Sequence, residues 1–480
     1  MSADESHGKG KVRNIHLVGI GGAGMSGIAE VLHNLGYRVS GSDRKASAVT
    51  AQLAAQGMNI REGHAAGNVA GSDVVVFSSA VTGNNVELAA ARRQGIPVLS
   101  RAEMLAELMR FHHGVAIAGT HGKTTTTSLI ASLLADGGLD PTYVIGGLLN
   151  RTGSSARLGA GRHLVAEADE SDGSFLHLQP VTAVVTNIDC DHLDAYEGSF
   201  ALLQQKFLEF VHRLPFYGTA VWCLDDPLLR DLRPRFARPA LAYGTAARAD
   251  YQAQPLAAQG NRVRFLVRTP DERQGLELES ALPGRHNVLN ALAAVAVAHH
   301  LGVPMETIAH SLRHFQGIAR RCQVCGPLDI GGRKVLLIDD YAHHPVEIQA
   351  TAEAVRQGWP GRRIVAVFQP HRYTRTQALF ESFVRVLSLL EAVVLLDVYS
   401  AGEAAIPGAD SASLYRALQL LGRNVPLYVG DRSELPEALP ATIADGDVLL
   451  ILGAGDISAL AGELQGRFRA QDGGQGRADE

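Results

Sequence analysis

A chain of 480 residues is too long for one ordinary domain and predicts about three domains. Its 44 basic and 49 acidic residues leave a net charge of −5, without the basic excess of a general nucleic-acid binder, so we expect no nucleic-acid partner. The polar first fourteen residues and the lack of a long apolar run predict neither a secretory signal nor membrane insertion, and therefore a cytoplasmic protein. Four scattered cysteines predict reduced thiols.

Apolar, β-branched runs alternate with helical patterns along the chain, from IHLVGI, VVVFSSA and VAIAG to VLLILGAG near the end. Such continuous apolar strands are typical of parallel sheets covered on both faces, which predicts an α/β protein. Boundaries near residues 110 and 321 predict domains of residues 1–110, 111–321 and 322–480. The middle domain should contain a small antiparallel element at 262–282 and two helices at about 287–315, and the composition of 468–480 predicts a disordered tail.

The first glycine-rich loop, from Gly19 to Gly24, fits G-x-G-x-x-G and stands between a predicted strand and a predicted helix. Glycines at these positions let backbone N–H groups approach a pyrophosphate at the positive end of a helix. Asp43 follows 19 residues after Gly24, where an acid that binds a ribose is expected. The loop therefore predicts a nucleotide ligand, which NAD, FAD or a UDP-sugar would satisfy equally.

A second loop, AGTHGKTTT at residues 118–126, also lies between a strand and a helix. It departs from the usual phosphate-loop pattern because Ile117 replaces the first glycine. Gly122, Lys123 and Thr124 still supply open backbone N–H groups, a cation for phosphate charge and a hydroxyl for Mg²⁺. We therefore expect an ATP site here. The energy of ATP would be used to activate the ligand of the first loop.

Acidic residues follow two further strands, in the runs 167–172 (EADESD) and 189–194 (DCDHLD). Ligands of α/β folds collect at the carboxyl ends of strands, and carboxylates there suit Mg²⁺. The first run could otherwise be a solvated loop, and the second a helix cap with a surface histidine. The phosphate loop nearby favours a metal site.

The third region places Tyr341 and His343 after one apolar strand, and His371 and Arg375 after another. An extended chain would point Tyr341 and His343 the same way, and a helix beginning after Pro370 would put His371 and Arg375 on one face. Because a guanidinium binds a carboxylate through two hydrogen bonds, these four residues predict an amino-acid pocket.

The chain resembles the Mur ligase family, and most closely its L-alanine-adding members, through motifs spread over nearly its whole length: GIGGAGMSGIA, GSD, AGTHGKTTT, EADESD, TNIDCDHLD, GRHNVLNALAA, DDYAHHPVEI, HRYTRT and LGAGDI. The resemblance implies three domains, each on a mainly parallel sheet: an N-terminal Rossmann-like UDP-binding domain, a central P-loop-type ATPase and a C-terminal Rossmann-like domain. It implies an ATP-dependent ligase that joins L-alanine to the lactyl carboxylate of UDP-N-acetylmuramate through an acyl phosphate. The alternative within the family is a ligase that adds a recycled peptide to the same sugar nucleotide.

The resemblance also implies that ATP is a co-substrate, that two Mg²⁺ ions take part and that the protein is a monomer or homodimer. It further implies roles for individual residues. The residues that contact the UDP-sugar would be Gly21, Gly22, Gly24, Ser42, Asp43 and His64. The residues that contact ATP would be Gly119, Thr120, His121, Gly122, Lys123, Thr124, Thr125, Asn290, Arg320 and Asp340. The metal ligands would be Thr124, Glu170 and His192, the amino-acid pocket Tyr341, His343, His371 and Arg375, and the catalytic residues Lys123, Glu170, His192 and Arg375.

Two readings outside the family stay open on the loops alone. The first glycine loop would also serve a nicotinamide oxidoreductase, and both loops together would serve a nucleotide sensor without catalysis.

The chain also departs from the family pattern at Cys322, where an aromatic residue often follows the arginine pair. Lys206, at the distance where some related ligases carry a carbamylated lysine, is not counted among the site residues.

Overall fold

The computed structural model describes residues 12–468 apart from Ser79 and Arg273, so most of the predicted disordered tail lies outside the described residues. The chain divides into two compact units. The first comprises the described residues up to Gln254 with Phe265–Glu279 and Leu289–Gln316. The second comprises Pro255–Arg264, Ser280–Val288 and the described residues from Gly317 onward.

The first sheet is fully parallel, in the order β3-β2-β1-β4-β5. Its strands are β1 (Asn14–Val18), β2 (Arg38–Asp43), β3 (Asn59–Glu62), β4 (Val74–Phe77) and β5 (Val98–Ser100). The helices of this region are α1 (Ala23–Asn34), α2 (Ala48–Ala55), α3 (Val86–Arg93) and α4 (Arg101–Met109), which leads to the second sheet. The strand order changes direction beside β1, so the glycine loop after β1 opens at the edge where open α/β sheets bind ligands.

The second sheet has the order β15-β14-β13-β12-β11-β10-β6-β9-β7-β8. Its strands are β6 (His113–Ala118), β7 (Thr142–Leu149), β8 (Ser154–Arg157), β9 (His163–Glu167), β10 (Thr182–Val185), β11 (Thr219–Cys223), β12 (Ala240–Gly244), β13 (Tyr251–Gln259), β14 (Arg262–Arg268) and β15 (Leu276–Ser280). Its helices are α5 (Lys123–Asp136), α6 (Phe200–His212), α7 (Pro227–Leu232), α8 (Arg285–His300) and α9 (Met305–His314). The central strands β6, β9 and β10 run parallel, so their carboxyl ends share one edge.

The third sheet has the order β16-β17-β21-β18-β19-β20, with only the β16–β17 pair antiparallel among the described strands. Its strands are β16 (Gln323–Ile330), β17 (Arg333–Asp340), β18 (Ile364–Phe368), β19 (Ala392–Leu396), β20 (Val425–Gly430) and β21 (Val448–Leu452). Its helices are α10 (Pro345–Gly358), α11 (Tyr373–Ala378), α12 (Phe380–Leu387), α13 (Ser411–Leu421), α14 (Leu435–Thr442) and α15 (Leu460–Phe468). A separate apolar cluster packs on each face, as expected for strands without polar alternation.

The sequence-based fold class is confirmed, because three α/β regions on largely parallel sheets follow one another along the chain. The helices predicted at about 287–315 are α8 and α9, and the predicted small element at 262–282 forms β14 and β15 at one end of the second sheet. Phe468, placed in the predicted tail, instead ends α15. Within the described part of the chain, no helix is both long enough and apolar enough to span a membrane.

One local prediction is wrong. His371 and Arg375 were predicted to share a face if a helix began directly after Pro370, but α11 begins only at Tyr373. Arg372 precedes it with φ +70°, outside the helical region, and His371 instead forms an isolated bridge to Tyr399.

Candidate functional site

The phosphate loop connects the central strand β6 to α5. Ile117, which replaces the usual first glycine, continues β6 and is fully buried, so the turn begins two residues later at Gly119. Gly119 has φ +134°, and a Cβ there would overlap Thr186 Oγ1. Gly122 has φ +82°, and a Cβ there would lie 2.5 Å from Asn290 Oδ1. Glycine is therefore required at both positions by backbone angle and by space.

The segment after β10 holds this loop in place. The backbone N–H of His121 donates to Asn187 Oδ1 at 2.9 Å, and Thr186 Oγ1 donates to the His121 carbonyl oxygen at 2.7 Å. The N–H of Asp189 donates to Thr120 Oγ1 at 2.9 Å, and the His121 ring lies 3.0 Å from the Asp189 carboxylate. Sequence reasoning did not identify Asn187 or Thr186, although β6 and β10 are neighbours and their ends meet at one edge.

Lys123, the first residue of α5, contacts Glu170 at the end of the segment that follows β9. Its Nζ lies 2.8 Å from both Glu170 carboxylate oxygens and also donates to the Gly119 carbonyl oxygen at 2.7 Å. The Glu170 side chain is almost completely buried, and burial raises its pKa to about 7 even though Lys123 acts in the opposite direction. The structure thus brings the predicted phosphate lysine and the predicted metal carboxylate into direct contact.

The remaining predicted metal and ATP residues lie around this pair. Thr124 and Thr125 follow in the first turn of α5, where both are buried. His192 lies in the loop after β10, 3.5 Å from Asp191 Oδ2, and in that loop the Tyr196 hydroxyl donates to the Glu170 carbonyl oxygen. The Thr124 hydroxyl and the Glu170 carboxylate are hard oxygen donors of the kind that Mg²⁺ prefers, so this donor set fits the metal.

Asn290, predicted as an adenine contact, lies on α8 against the same loop. Its side-chain oxygen accepts a hydrogen bond from Thr126 Oγ1 at 3.3 Å, and it faces Gly122. Asn290 is therefore positioned beside the ATP loop, and its contact with adenine stays a prediction.

The glycine loop after β1 packs against the end of β2. The N–H groups of Gly19 and Ile20 donate to the Ser42 carbonyl oxygen at 2.8 and 3.0 Å, and the N–H of Gly21 donates to the Asp43 carboxylate at 2.9 Å. Gly22 is the N-cap of α1, so the loop leads directly into the positive N-terminal end of this helix. The structure thus gathers the predicted glycines, Ser42 and Asp43 at one sheet edge.

His64, after β3, joins this group through Ser42 and through Glu87, a residue of α3 that sequence reasoning missed. Ser42 Oγ lies 3.1 Å from His64 Nδ1 and donates to Glu87 Oε2 at 2.6 Å, and His64 Nδ1 lies 3.3 Å from the same oxygen. Asn68 Nδ2 and the N–H of Ala65 donate to Oε1. The fully buried Glu87 carboxylate therefore fixes the orientation of two predicted sugar-nucleotide residues.

The charge of Glu87 predicts a pH-dependent contribution to stability. Burial raises its pKa, but polar contacts with His16, Ser42, Asn68 and the Ala65 N–H outweigh burial and lower the pKa to about 2. A depressed carboxyl pKa stabilises the fold above the unfolded pKa of 4.5, and this stabilisation is lost as the pH falls toward 2. We expect the stability difference between wild type and Glu87→Gln to shrink by about 2 kcal/mol between pH 7 and pH 3, measured by urea unfolding.

The matched control for this measurement is Glu107→Gln. Glu107 lies on α4 with a half-exposed side chain, where it pairs with Arg110. Its replacement should change stability little at either pH, because exposed ion pairs contribute little. A Glu87→Gln difference that is equal at pH 7 and pH 3 would contradict the assigned role of the buried carboxylate.

In the second unit, three rings of the predicted amino-acid pocket lie together. The ring centroids of Tyr341 and His343 are 5.3 Å apart, and those of His343 and His371 are 5.9 Å apart. Tyr399, not predicted from the sequence, stacks on His371 at 5.4 Å. Burial, His343 and Arg375 together lower the pKa of His371 to about 4, so its imidazole is neutral at pH 7.

The predicted ATP residues of this unit, Arg320 and Asp340, lie at the carboxyl end of β17. Arg320 Nε lies 3.3 Å from Asp339 Oδ2. Both oxygens of the buried Asp340 carboxylate accept backbone N–H bonds, from Cys322 at 2.6 Å and from Ala342 at 2.8 Å. Asp340 therefore fixes the local backbone, and its contact with an ATP ribose stays a prediction.

Two glycine-rich loops, an acid–lysine pair and a strand-end ring cluster define a nucleotide-dependent α/β protein. Three family models match in succession: "Mur ligase family, catalytic domain" over residues 14–113, "Mur ligase middle domain" over 117–298, and "Mur ligase, glutamate ligase domain" over 320–455. The chain belongs to the Mur ligase family.

Individual relatives match over nearly the whole chain. A UDP-N-acetylmuramate–L-alanine ligase of Halorhodospira halophila is 54% identical over 97% of this chain and 95% of its own. The crystal structure of the UDP-N-acetylmuramate-alanine ligase MurC from Thermotoga maritima matches with a TM-score of 0.81 at 29% identity, covering 95% of this chain and 98% of that one. A UDP-N-acetylmuramate:L-alanyl-gamma-D-glutamyl-meso-diaminopimelate ligase from Neisseria meningitides matches with a TM-score of 0.59 at 32% identity, over 64% of this chain and 100% of that one.

Proposed function

We propose that this protein is an ATP-dependent ligase that forms the amide between L-alanine and the lactyl carboxylate of UDP-N-acetylmuramate, for peptidoglycan precursor synthesis in the cytoplasm. The observation that carries the proposal is the contact of Lys123 with Glu170 at the ATP loop, in a chain 54% identical to an L-alanine ligase over 97% of its length. The first glycine loop supplies a second nucleotide site, which a simple ATPase would not need.

The reaction requires an activated carboxylate, because oxide is a very poor leaving group. A carboxylate oxygen of the sugar nucleotide attacks the γ-phosphorus of ATP, and the bond to ADP breaks to give an acyl phosphate. The neutral amine of alanine then attacks the carbonyl carbon, and phosphate leaves as the amide forms. ATP and the sugar nucleotide are both anions and repel each other. Positioning and charge neutralisation therefore supply most of the catalysis.

The residues around the ATP loop fit these tasks. The Lys123 ammonium would neutralise the phosphate oxygens, and the N–H groups of the loop would bind them at the start of α5. Mg²⁺, held by Thr124 and Glu170 with a second ion at His192, would supply further positive charge on the phosphates. Asn290, Arg320 and Asp340 would bind the remainder of ATP.

The proposed domains end at residues 110 and 321.

In this proposal, the ring cluster of the second unit holds the amino donor. The His343 ring lies within 6 Å of both the Tyr341 ring and the His371 ring. The Arg375 guanidinium would bind the carboxylate of the amino acid through two hydrogen bonds. Tyr399 stacks on the His371 ring, with ring centroids 5.4 Å apart. The 54% identity to an L-alanine ligase over 97% of this chain favours alanine over the peptide of the alternative family member.

One experiment tests both the donor and the chemistry. Phosphate release is measured with ATP, UDP-N-acetylmuramate labelled with ¹⁸O in its carboxylate, and either L-alanine or the tripeptide L-alanyl-γ-D-glutamyl-meso-diaminopimelate, the donor for the alternative ligase. We expect release with L-alanine, with label transferred to phosphate. Release with the tripeptide alone would favour the alternative ligase, and unlabelled phosphate would exclude the acyl phosphate.

A further inference from the structure

A pocket of about 200 Å³ lies between the glycine loop and the strand end that carries the acids of the ATP site. Both sides belong to the first compact unit. Its described lining includes Gly22, Gly24, Ser78, Arg101, Glu167 and Asp169. The pocket thus lies on the path that a ligand of the first loop would take toward the ATP loop.

Arg101 connects the two sides of this pocket. It is the first residue of α4, directly after β5, and its side chain is only 16% exposed. A Cβ on Gly24 would lie 3.2 Å from Arg101 Nη1, so the guanidinium passes over the first turn of α1. Its Nη2 lies 3.5 Å from Asp169 Oδ2, and Asp169 directly precedes the Glu170 that contacts Lys123.

The charges of the lining make Arg101 decisive for an anionic ligand. Glu167 and Asp169 both face the pocket, and Arg101 is the one basic residue on its described lining. An anion entering beside two carboxylates would be repelled unless a cation lay against it. Glu167 Oε1 already accepts a 2.6 Å hydrogen bond from the N–H of Gly146, so it is fixed against the strand β7.

The guanidinium also retains donors for a ligand. A 3.5 Å separation from Asp169 is longer than the 2.7–2.9 Å of a strong charge-assisted hydrogen bond. Arg carries five N–H donors in one plane, of which a single contact of this length uses one. The planar arrangement matches the oxygens of a carboxylate or a phosphate.

We propose that Arg101 binds an oxyanion of the sugar nucleotide in this pocket, and so positions that substrate between the two loops. The inference rests on the proposed function, because the ligand is the proposed sugar nucleotide. Two groups of that ligand have the required chemistry, the diphosphate and the lactyl carboxylate. The helix N-terminus at Gly22 favours phosphate on one side, and the approach to Lys123 favours carboxylate on the other.

The test is the binding of two sugar nucleotides, measured by calorimetry without ATP. UDP-N-acetylmuramate carries both oxyanions, and UDP-N-acetylglucosamine carries the diphosphate alone. We expect Arg101→Met to weaken UDP-N-acetylmuramate binding roughly tenfold to a hundredfold, with partial recovery in Arg101→Lys. An equal loss for both ligands identifies the diphosphate, and a loss for UDP-N-acetylmuramate alone identifies the carboxylate. Unchanged binding of both ligands overturns the proposal.

Two control variants separate ligand binding from a structural ion pair. Asp169→Asn removes the same pair but keeps the guanidinium, and it should bind the sugar nucleotide at least as tightly because a repelling carboxylate is lost. If it loses as much affinity as Arg101→Met, the role is structural and the proposal is overturned. Arg110→Met, at the exposed other end of α4, should bind like wild type. Failure of the wild type to bind UDP-N-acetylmuramate would instead overturn the proposed function.

Discussion

Replacement of Lys123 by alanine is expected to reduce phosphate release by at least about a thousandfold while binding of UDP-N-acetylmuramate persists. The lysine ammonium is the cation at the start of α5, where the loop meets the ATP phosphates in the proposed reaction. It touches Glu170 and the loop carbonyls but no residue of the glycine loop among its described hydrogen bonds. Because the charge develops during transfer, kcat should fall more than the KM for ATP rises. Phosphate release and calorimetric binding measure the two effects separately.

Lys206→Ala is the matched control for this variant. Lys206 lies on α6, one third exposed, with Glu209 as its partner at 2.9 Å. It stands near the place of a modified lysine in some related ligases, so its replacement also tests whether this chain needs one. We expect nearly normal turnover from Lys206→Ala. Normal turnover from Lys123→Ala would disprove the phosphate-loop assignment.

The parts of the site that lie close together in sequence could be predicted from it. Each glycine loop is a short segment between a strand and a helix, so its conformation follows from local rules that the residues themselves display. The acids after β9 were predictable for a related reason, since the carboxyl ends of parallel strands share one edge. These local signals placed Gly21, Lys123 and Glu170 after strands, and in the structure they follow β1, β6 and β9. Their roles stay predictions.

Contacts between distant segments could not be predicted in this way. Ser42 and Glu87 are 45 residues apart, and α3 reads VELAAARR, which is typical of a surface helix with an exposed glutamate. Arg101 and Asp169 are 68 residues apart and follow strands of different sheets, β5 and β9. Their pairing depends on how two sheets pack, which a single sequence does not encode locally. Hydrophobic periodicity predicts which apolar faces are buried, but it does not predict a buried carboxylate.

The misplaced start of α11 has a local cause of a different kind. Proline commonly begins a helix, so Pro370 was a reasonable N-terminus. The bridge between His371 and Tyr399 keeps the chain extended for one more residue, and Arg372 then turns with positive φ. The ring of His371 still lies 5.9 Å from that of His343, and the amino-acid pocket stays a prediction.

The space around Gly119 predicts the second large effect. Gly119→Ala places a methyl group on Thr186 Oγ1, the atom that donates to the His121 carbonyl oxygen and so holds the loop. The loop and the segment after β10 must then separate, which moves the N–H groups that would bind phosphate. A displacement of about 1 Å at a catalytic group can cost roughly a hundredfold in rate, so we expect kcat/KM for ATP to fall by at least that factor.

Backbone strain alone would not produce this loss, and Gly138→Ala separates the two causes. Gly138 lies just beyond the other end of α5, with φ +77° and no atom within 4 Å of a Cβ. Alanine there should destabilise the fold by about 1 kcal/mol through its positive φ, measured by thermal unfolding, with unchanged kcat/KM for ATP. Gly119→Ala should destabilise the fold by more than this, because its Cβ also overlaps Thr186, and should lose activity as well. If the two variants lose activity equally, the effect comes from α5 as a whole, and the loop geometry at Thr186 is not what aligns the triphosphate.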